Sequence, residues 1–283
     1  MSRGPIFNLL DLTRRKMGIF QQLKIEEALF RTNNKNWIIF NSLDSINERA
    51  VVFGLGDARK PDTLCNVDIA REDGVALIKR YSGGGTVFVD KSTRFITFIC
   101  NEDFLIENDE TNRNSDEALL LNFPRPIMEW TGELYKDAFD HIFYCNKKDY
   151  NKERELNLFN LRENDYIFDD RKFGGNAQSI SKNRWVHHTS FLYDYNSELM
   201  NKYLLLPTKQ PEYREQRDHD SFLCKLKDIF PEHCPPNTLE NAILQVLQEN
   251  RKCNIISMDD DEDFEAINEI VMQGDYRKSN VYL

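Results

Sequence analysis

Apolar positions change their spacing several times along this chain, and each change marks an element. Ile6-Phe7-Asn8-Leu9-Leu10 reads as a strand. Leu23, Ile25, Ala28, Leu29 and Phe30 then recur at helical spacing, with Glu26 and Glu27 between them, so residues 21–31 are predicted helical. Trp37 to Phe40 and Ala50 to Gly54 are β-type runs on either side of a polar turn. A helix over 62–73 ends near Gly74. Val75 to Ile78 and Thr86 to Val89 are the next β-type runs, and the second is predicted to form a hairpin with Phe95 to Cys100 across Asp90-Arg94. Asn101 to Arg125 is polar and acidic, a surface loop with one short helix. Ile127, Trp130, Leu134, Tyr135 and Phe139 then have helical spacing and read as core positions. From Arg162 to Asn196 the pattern is strand, glycine break, strand, turn at Ser181-Lys182-Asn183, strand. Amphipathic helical stretches follow at 222–229 and 239–247, and the last segment is acidic through Asp263 and then helix-like. The pattern predicts one α+β domain over residues 1–250 and a short acidic, partly helical C-terminal extension over 251–283.

Composition narrows the partners. Hydrophobic content of 40% and aromatic content of 12% allow a sizeable core, while a net charge of -10 argues against non-specific nucleic-acid binding, which needs basic surface. The six cysteines are scattered with no C-x-x-C pair, which fits neither a zinc ribbon nor a disulfide scaffold. A reducing, cytoplasmic setting is the expectation, with a mitochondrion or another organelle left open. The three arginines before Lys16 read as part of the fold rather than as a cleaved leader. No apolar run reaches membrane-spanning length.

Two glycine sites carry the candidate chemistry. The first is Lys79-Arg80-Tyr81-Ser82-Gly83-Gly84-Gly85-Thr86-Val87. Glycines inside a β pattern mark a backbone that something approaches closely, either a ligand or another segment of the chain in a tight turn or bulge. Bare amides beside Lys79, Arg80 and Ser82 suit a phosphate or a carboxylate. The second site is Arg171-Lys172-Phe173-Gly174-Gly175-Asn176-Ala177, where Lys172 stands beside bare backbone and can place a point charge on an anion. An ordinary surface lysine is the bland reading of Lys172; the pairing of the two sites favours an acyl-phosphate clamp with Arg80. Asn164 and Asp165 suit a ribose, a Mg²⁺ ion or a base, or else an Asx turn opening a strand. His187 and His188 are adjacent on a strand and point to opposite faces, so they do not share a metal ion; one is expected buried and the other toward a cleft or solvent. No structural metal is expected. No cysteine has a nucleophile setting, and no G-x-x-x-x-G-K-[ST] is present.

Together these segments resemble the biotin/lipoate protein ligase family, in its lipoate-protein ligase A-like branch and a eukaryotic single-domain subgroup. The family pattern R-R-x-S-G-G-G-[AT]-V-[FY]-H-D has its counterpart in Lys79 to Asp90, R-N-D in Glu163-Asn164-Asp165, R-K-x-S-G-S-A in Arg171 to Ala177, and H-H-G-[ST] in His187-His188-Thr189-Ser190. The resemblance spans roughly residues 6–250. It implies a class II aminoacyl-tRNA synthetase/biotin ligase-like mixed sheet flanked by helices. It implies activation of lipoate or octanoate with ATP and Mg²⁺ to an acyl-adenylate, then transfer to a lysine of a lipoyl carrier domain of the 2-oxoacid dehydrogenase or glycine cleavage H protein type. Lys172 is the implied catalytic residue. Arg80, Ser82, Gly83, Gly84, Gly85, Gly174, Gly175, Asn176, Ala177 and His188 are implied for the acyl-adenylate, and Asn164 and Asp165 for nucleotide or Mg²⁺. Biotin fits less well, because the G-R-G-R loop of biotin ligases is absent.

Three departures from the family pattern matter: Val89 stands for histidine, Lys79 for arginine and Thr189 for glycine, the first and third bearing on acyl or acceptor contacts. The chain after residue 250 is too short for the separate C-terminal domain of many bacterial ligases, so adenylation is expected either unaided, with an accessory subunit, or bypassed by a preactivated acyl donor. Competing expectations are an ATP-independent octanoyl or lipoyl transferase between carriers and a non-catalytic acyl-binding adaptor. Carrier domains are acidic like this chain, so a local positive patch is needed, and Arg171, Lys172, Lys182 and Arg184 are the expected cluster, with Lys182 and Arg184 toward the acceptor.

Overall fold

The computed structural model describes residues 4–44, 46, 48–108, 123–145, 159–232, 234–235, 237–276 and 278–283. Two sheets organise it. The larger has eight strands in the order β11-β1-β2-β6-β10-β9-β8-β7, from β1 (Ile6–Asp11), β2 (Trp37–Ser42), β6 (Thr93–Asn101), β7 (Phe159–Arg162), β8 (Asp165–Phe168), β9 (Arg171–Ile180), β10 (Arg184–Leu192) and β11 (Asn254–Ser257). The smaller has the order β12-β4-β3-β5, from β3 (Ala50–Phe53), β4 (Ala76–Lys79), β5 (Val87–Val89) and β12 (Val281–Tyr282). Parallel and antiparallel pairs mix in both. This is the mixed sheet flanked by helices that the sequence led us to expect.

The central strands are buried on both faces, and the period of two sorts their side chains. Phe98, Trp185 and Phe191 turn to one face, where α4 (Pro124–Cys145) and α8 (Thr238–Glu249) close an aromatic core with Tyr135, Phe139 and Ile243. Ile99 and Val186 turn to the other, against α1 (Ile19–Thr32) and α9 (Asp261–Gln273). Truncating a fully buried ring such as Phe98 is expected to cost about 3–5 kcal/mol. The smaller sheet packs on α2 (Val67–Glu72) and α5 (Ser197–Tyr203) through Phe53, Val67 and Tyr203.

Several local readings change. Thr86–Val89 and Phe95–Cys100 do not pair with each other: β5 bonds to β3 in the small sheet, and β6 to β2 and β10 in the large one. Period alone could not show this, since both runs alternate well enough for either partner. The expected glycine break is no break, because β9 continues through Gly174 and Gly175. The 222–229 stretch is two short helices, α6 (His219–Phe222) and α7 (Leu226–Ile229). Of the expected acidic loop, α3 (Asp103–Asn108) is the short helix, and residues 109–122 lie outside the described residues. The segment after residue 250 enters both sheets: β11 pairs with β1 and β12 with β4, while α9 lies on α1. Among the described residues no helix is long and apolar enough to cross a membrane.

Candidate active site

The first glycine site is a loop that leaves β4 and crosses to the large sheet. Its landing is a hydrogen bond from Gly83 N to Gln178 O of β9, 2.8 Å. Gly84 has φ +105°, and a Cβ there would lie 2.5 Å from Asn176 O and 2.8 Å from Arg80 Nη2. The bare backbone is therefore needed for contact between the two glycine sites themselves. Gly85 has open space around it and faces a cleft of about 830 Å³.

That cleft gathers much of the predicted set. Gly84, Gly85, Asn164, Asp165, Lys172 and Gly175 line it. On a regular strand Lys172 and Gly175, three residues apart, would face opposite sides. A bulge corrects the phase: Tyr166 pairs with Gly174 and Ile167 with Lys172, leaving Phe173 as the extra residue. Lys172 and Gly175 thus share the cleft, while Phe173 fills the core and the bare face of Gly174 packs against Thr189 and Phe191. Lys172 Nζ is 2.6 Å from Asp165 Oδ1, and the Tyr213 hydroxyl donates to Asp165 Oδ2 at 2.7 Å. Burial, and then the Asp165 carboxylate, raises Tyr213 far above the usual phenol range, so it stays a donor. Asn164 belongs to the turn between β7 and β8, where its carbonyl accepts from Asn176 Nδ2.

Arg80 departs from its expected role. It is 3% exposed, and its guanidinium donates to Val52 O, Gly83 O and Gly85 O. Burial pushes it down to about 10, with Asp57 and Glu26 opposing, so it remains a cation at neutral pH. It holds the glycine loop closed from behind, and it does not face a common anionic centre with Lys172. Arg80 instead borders a narrow slot of about 20 Å³, with Val89, Asn176, Ala177 and His188. The slot shares Val87, Gly175 and Ser190 with the cleft, so it is a side branch with room for about one water. Ser82 is buried, and its carbonyl accepts from Leu55 N; it lines neither space.

Both histidines are buried, on opposite faces of β10. His187 lies under α4 among Thr131, Tyr166, Gln178 and Thr189, where burial, with His188 adding, pushes it down to about 3. His188 borders the slot, and its Nδ1 is 3.0 Å from Glu26 Oε1, which also accepts from Thr97 and Gln22. Sequence reasoning missed Glu26, although two successive acids within an apolar helical stripe signalled buried carboxylates. Tyr213 was missed as well, because only the fold brings it to Asp165. Of the three departures, Val89 is buried at the slot. Thr189 turns away from it, to Tyr135 and Asn176, so its side chain is a core contact.

The expected positive cluster is dispersed. Lys182 sits in the turn at the far end of β9, about 30 Å from Lys172 by strand rise. Arg184 is 9% exposed and bonds Asn101 Oδ1 and Lys35 O. Besides Lys172, Arg59, Lys60 and Lys209 line the cleft, with the buried Arg214. Among the described residues no group of three His, Cys, Asp or Glu side chains is arranged to hold a metal ion.

Comparison with known proteins places this geometry. Residues 18–248 match the model of the lipoyl protein ligase A/B catalytic domain. The chain is 30% identical to the inactive lipoate–protein ligase 2 of Plasmodium falciparum, over 82% of this chain and 67% of that protein. It is 23% identical to lipoate–protein ligase 1 of the same organism, over 72% of this chain, and spans only 43% of that relative's length. A lipoate-protein ligase A crystallised with ATP shares its fold at TM-score 0.62 and 15% identity, covering 98% of this chain and 97% of that one. The bipartite lipoate protein ligase of Thermoplasma acidophilum, studied with its E2 lipoyl domain, aligns at TM-score 0.63 and 15% identity, covering 98% and 99%. A match over most of the chain makes this protein a member of the lipoyl protein ligase A/B catalytic-domain family.

Proposed function

We propose that the chain transfers a lipoyl or octanoyl group to a lysine of a lipoyl carrier domain, after activating the acid with ATP to an acyl-adenylate. The observation that supports this most directly is Lys172, held by Asp165 in the wall of an 830 Å³ cleft and opening toward Gly84 and Gly85. That volume lies in the range of pockets for ligands of nucleotide size. In the first half-reaction the acid's carboxylate attacks the α-phosphorus and pyrophosphate leaves. In the second the carrier lysine, as free amine, attacks the acyl carbon and AMP leaves with the bonding pair. Both steps build negative charge on oxygens, which a fixed ammonium at Lys172 stabilises. The slot beside Arg80 and His188 is the acyl channel in this reading; at 20 Å³ it opens only when Val87, Val89 and Ile19 part. ATP would lie in the cleft near Lys172. Asp165 is not a ready Mg²⁺ ligand: both its oxygens are engaged, so an ion bound beside it would rest chiefly on the phosphates. The test is lipoate- or octanoate-dependent ATP–pyrophosphate exchange; no exchange with either acid, and Lys172→Ala equal to wild type in acyl transfer, sinks the reading.

A second reading has its own support. One relative is called inactive, and Asp165, the implied nucleotide-side carboxylate, is tied to Lys172. In that case the chain takes a ready-made acyl-adenylate and performs only the transfer. Supplying lipoyl-AMP without ATP separates the two: transfer with no exchange activity favours the second.

A further inference from the structure

Beyond the family match, which ends at residue 248, a hook at the end of the chain reaches the glycine loop. Asn280 is 7% exposed. Its Oδ1 accepts from Tyr81 N at 2.9 Å, one residue after Arg80. Its Nδ2 donates to Leu23 O at 2.9 Å and to Glu27 Oε2 at 2.8 Å. Glu27 is 1% exposed and also accepts from the backbone amides of Ser279 and Asn280 and from Arg31 Nε. Every strong acceptor site of this buried carboxylate is thus directed at the tail or at α1's own arginine. Beyond the hook, Val281 and Tyr282 pair with Lys79 and Ile78, and Tyr282 packs on Phe20 at 4.1 Å between ring centroids.

The consequence follows from where the support ends. Arg80 N is held by Phe53 O of β3, but Tyr81 has no strand partner among the described residues, since β4 stops at Lys79. Asn280 supplies the missing acceptor at the point where the loop turns toward β9. It also grips Leu23, which lines the slot. We infer that Asn280 is a positioning residue: the tail from Ser279 to Leu283 straps the glycine loop and α1 together and thereby sets the width of the slot beside Arg80. The strap is independent of the functional reading; its effect on acyl binding rests on the proposal that the slot takes the acyl chain.

The test compares full-length Asn280→Ala with Val271→Ala, a control that loosens α9 without touching the hook. Backbone amide exchange is followed over residues 80–86, and the KM and kcat for lipoate and octanoate are measured alongside the carrier KM. The expected result is at least tenfold faster exchange at Tyr81 and Gly83 in Asn280→Ala and not in Val271→Ala, with the acyl KM raised about tenfold, the change that 1.4 kcal/mol makes, and kcat and the carrier KM within twofold. Equal exchange in the two variants overturns the strap; faster exchange with an unchanged acyl KM keeps the strap and overturns its control of the slot's width for the acyl chain. If wild type binds neither acid, the functional reading fails, and the exchange result alone still decides whether Asn280 holds the loop.

Discussion

Replacing Gly84 by alanine tests the contact between the two glycine sites. At φ +105° a residue with a Cβ is strained, at a cost of about 1–3 kcal/mol. The methyl would also lie 2.5 Å from Asn176 O, a backbone atom held in β9, and 2.8 Å from Arg80 Nη2, which is fixed by the carbonyls of Gly83 and Gly85. Neither neighbour is the free end of a flexible side chain, so the loop must lift off β9 and weaken the Gly83 N–Gln178 O bond. Together these come to about 2–4 kcal/mol, or a fall in melting temperature of roughly 5–10 °C for a chain of this size. Gly85→Ala is the internal control. No atom lies within 4 Å of its Cβ, so its melting temperature is expected to stay within the range of a surface substitution, about 0.5 kcal/mol. The measurement is thermal unfolding of the two variants beside wild type. If Gly84→Ala melts with Gly85→Ala, the loop is not held against β9 as described and the reasoning fails.

Other outcomes follow from the site and its surroundings. Lys172→Met is expected to lower acyl transfer about 10²–10³-fold, the usual effect of removing one transition-state charge partner, and to lower the melting temperature as well, because the Asp165 carboxylate it leaves is buried with Tyr213 as its remaining side-chain donor; a rate within threefold of wild type would remove Lys172 from the chemistry. Glu240, 5% exposed with neither carboxylate oxygen bonded among the described residues, is pushed by burial up to about 7. The folded state then binds the extra proton, so this group lowers stability as pH rises from about 4.5 to 7, by on the order of 3 kcal/mol at most. Glu240→Gln should be more stable than wild type at pH 8 and equal to it at pH 4, as read by urea unfolding at both values; a constant difference counts against the assignment. His187 acts oppositely: being neutral in the fold, it contributes stability present above about pH 6.5 and lost on acidification toward 3. The acid loss between pH 6.5 and 4.5 should therefore be steeper in Glu240→Gln, where the compensating rise is gone. For the carrier, charge reversal at Lys60 and Lys209 at the cleft should raise the carrier KM severalfold, whereas Lys182→Glu should leave it unchanged; the reverse order would restore the patch expected from sequence.

Much of this protein is legible without its fold. Helical spacing located α1, α4 and α8, and alternation located most strands, because amphipathic period is a local property that each element carries alone. The two glycine sites, Lys172, Asn164 and Asp165 stood out for the same reason: bare backbone beside a charge has few ordinary uses. Tertiary structure decided what those residues do. A single bulge at Phe173 put Lys172 and Gly175 on one side, a phase shift that no period-two reading contains. Arg80, a ligand-type arginine by its neighbours in sequence, spends its donors on carbonyls that only the folded loop brings to it. β5 and β6, adjacent in the chain, went to different sheets. Lys182 and Arg184, close to Lys172 in number, lie a strand's length away. Glu26, Tyr213 and Asn280 meet His188, Asp165 and Tyr81 across 162, 48 and 199 positions of chain. Sequence pattern reports which face a residue prefers; the partner on that face is set by packing and desolvation between distant segments, and here that pairing builds the cleft.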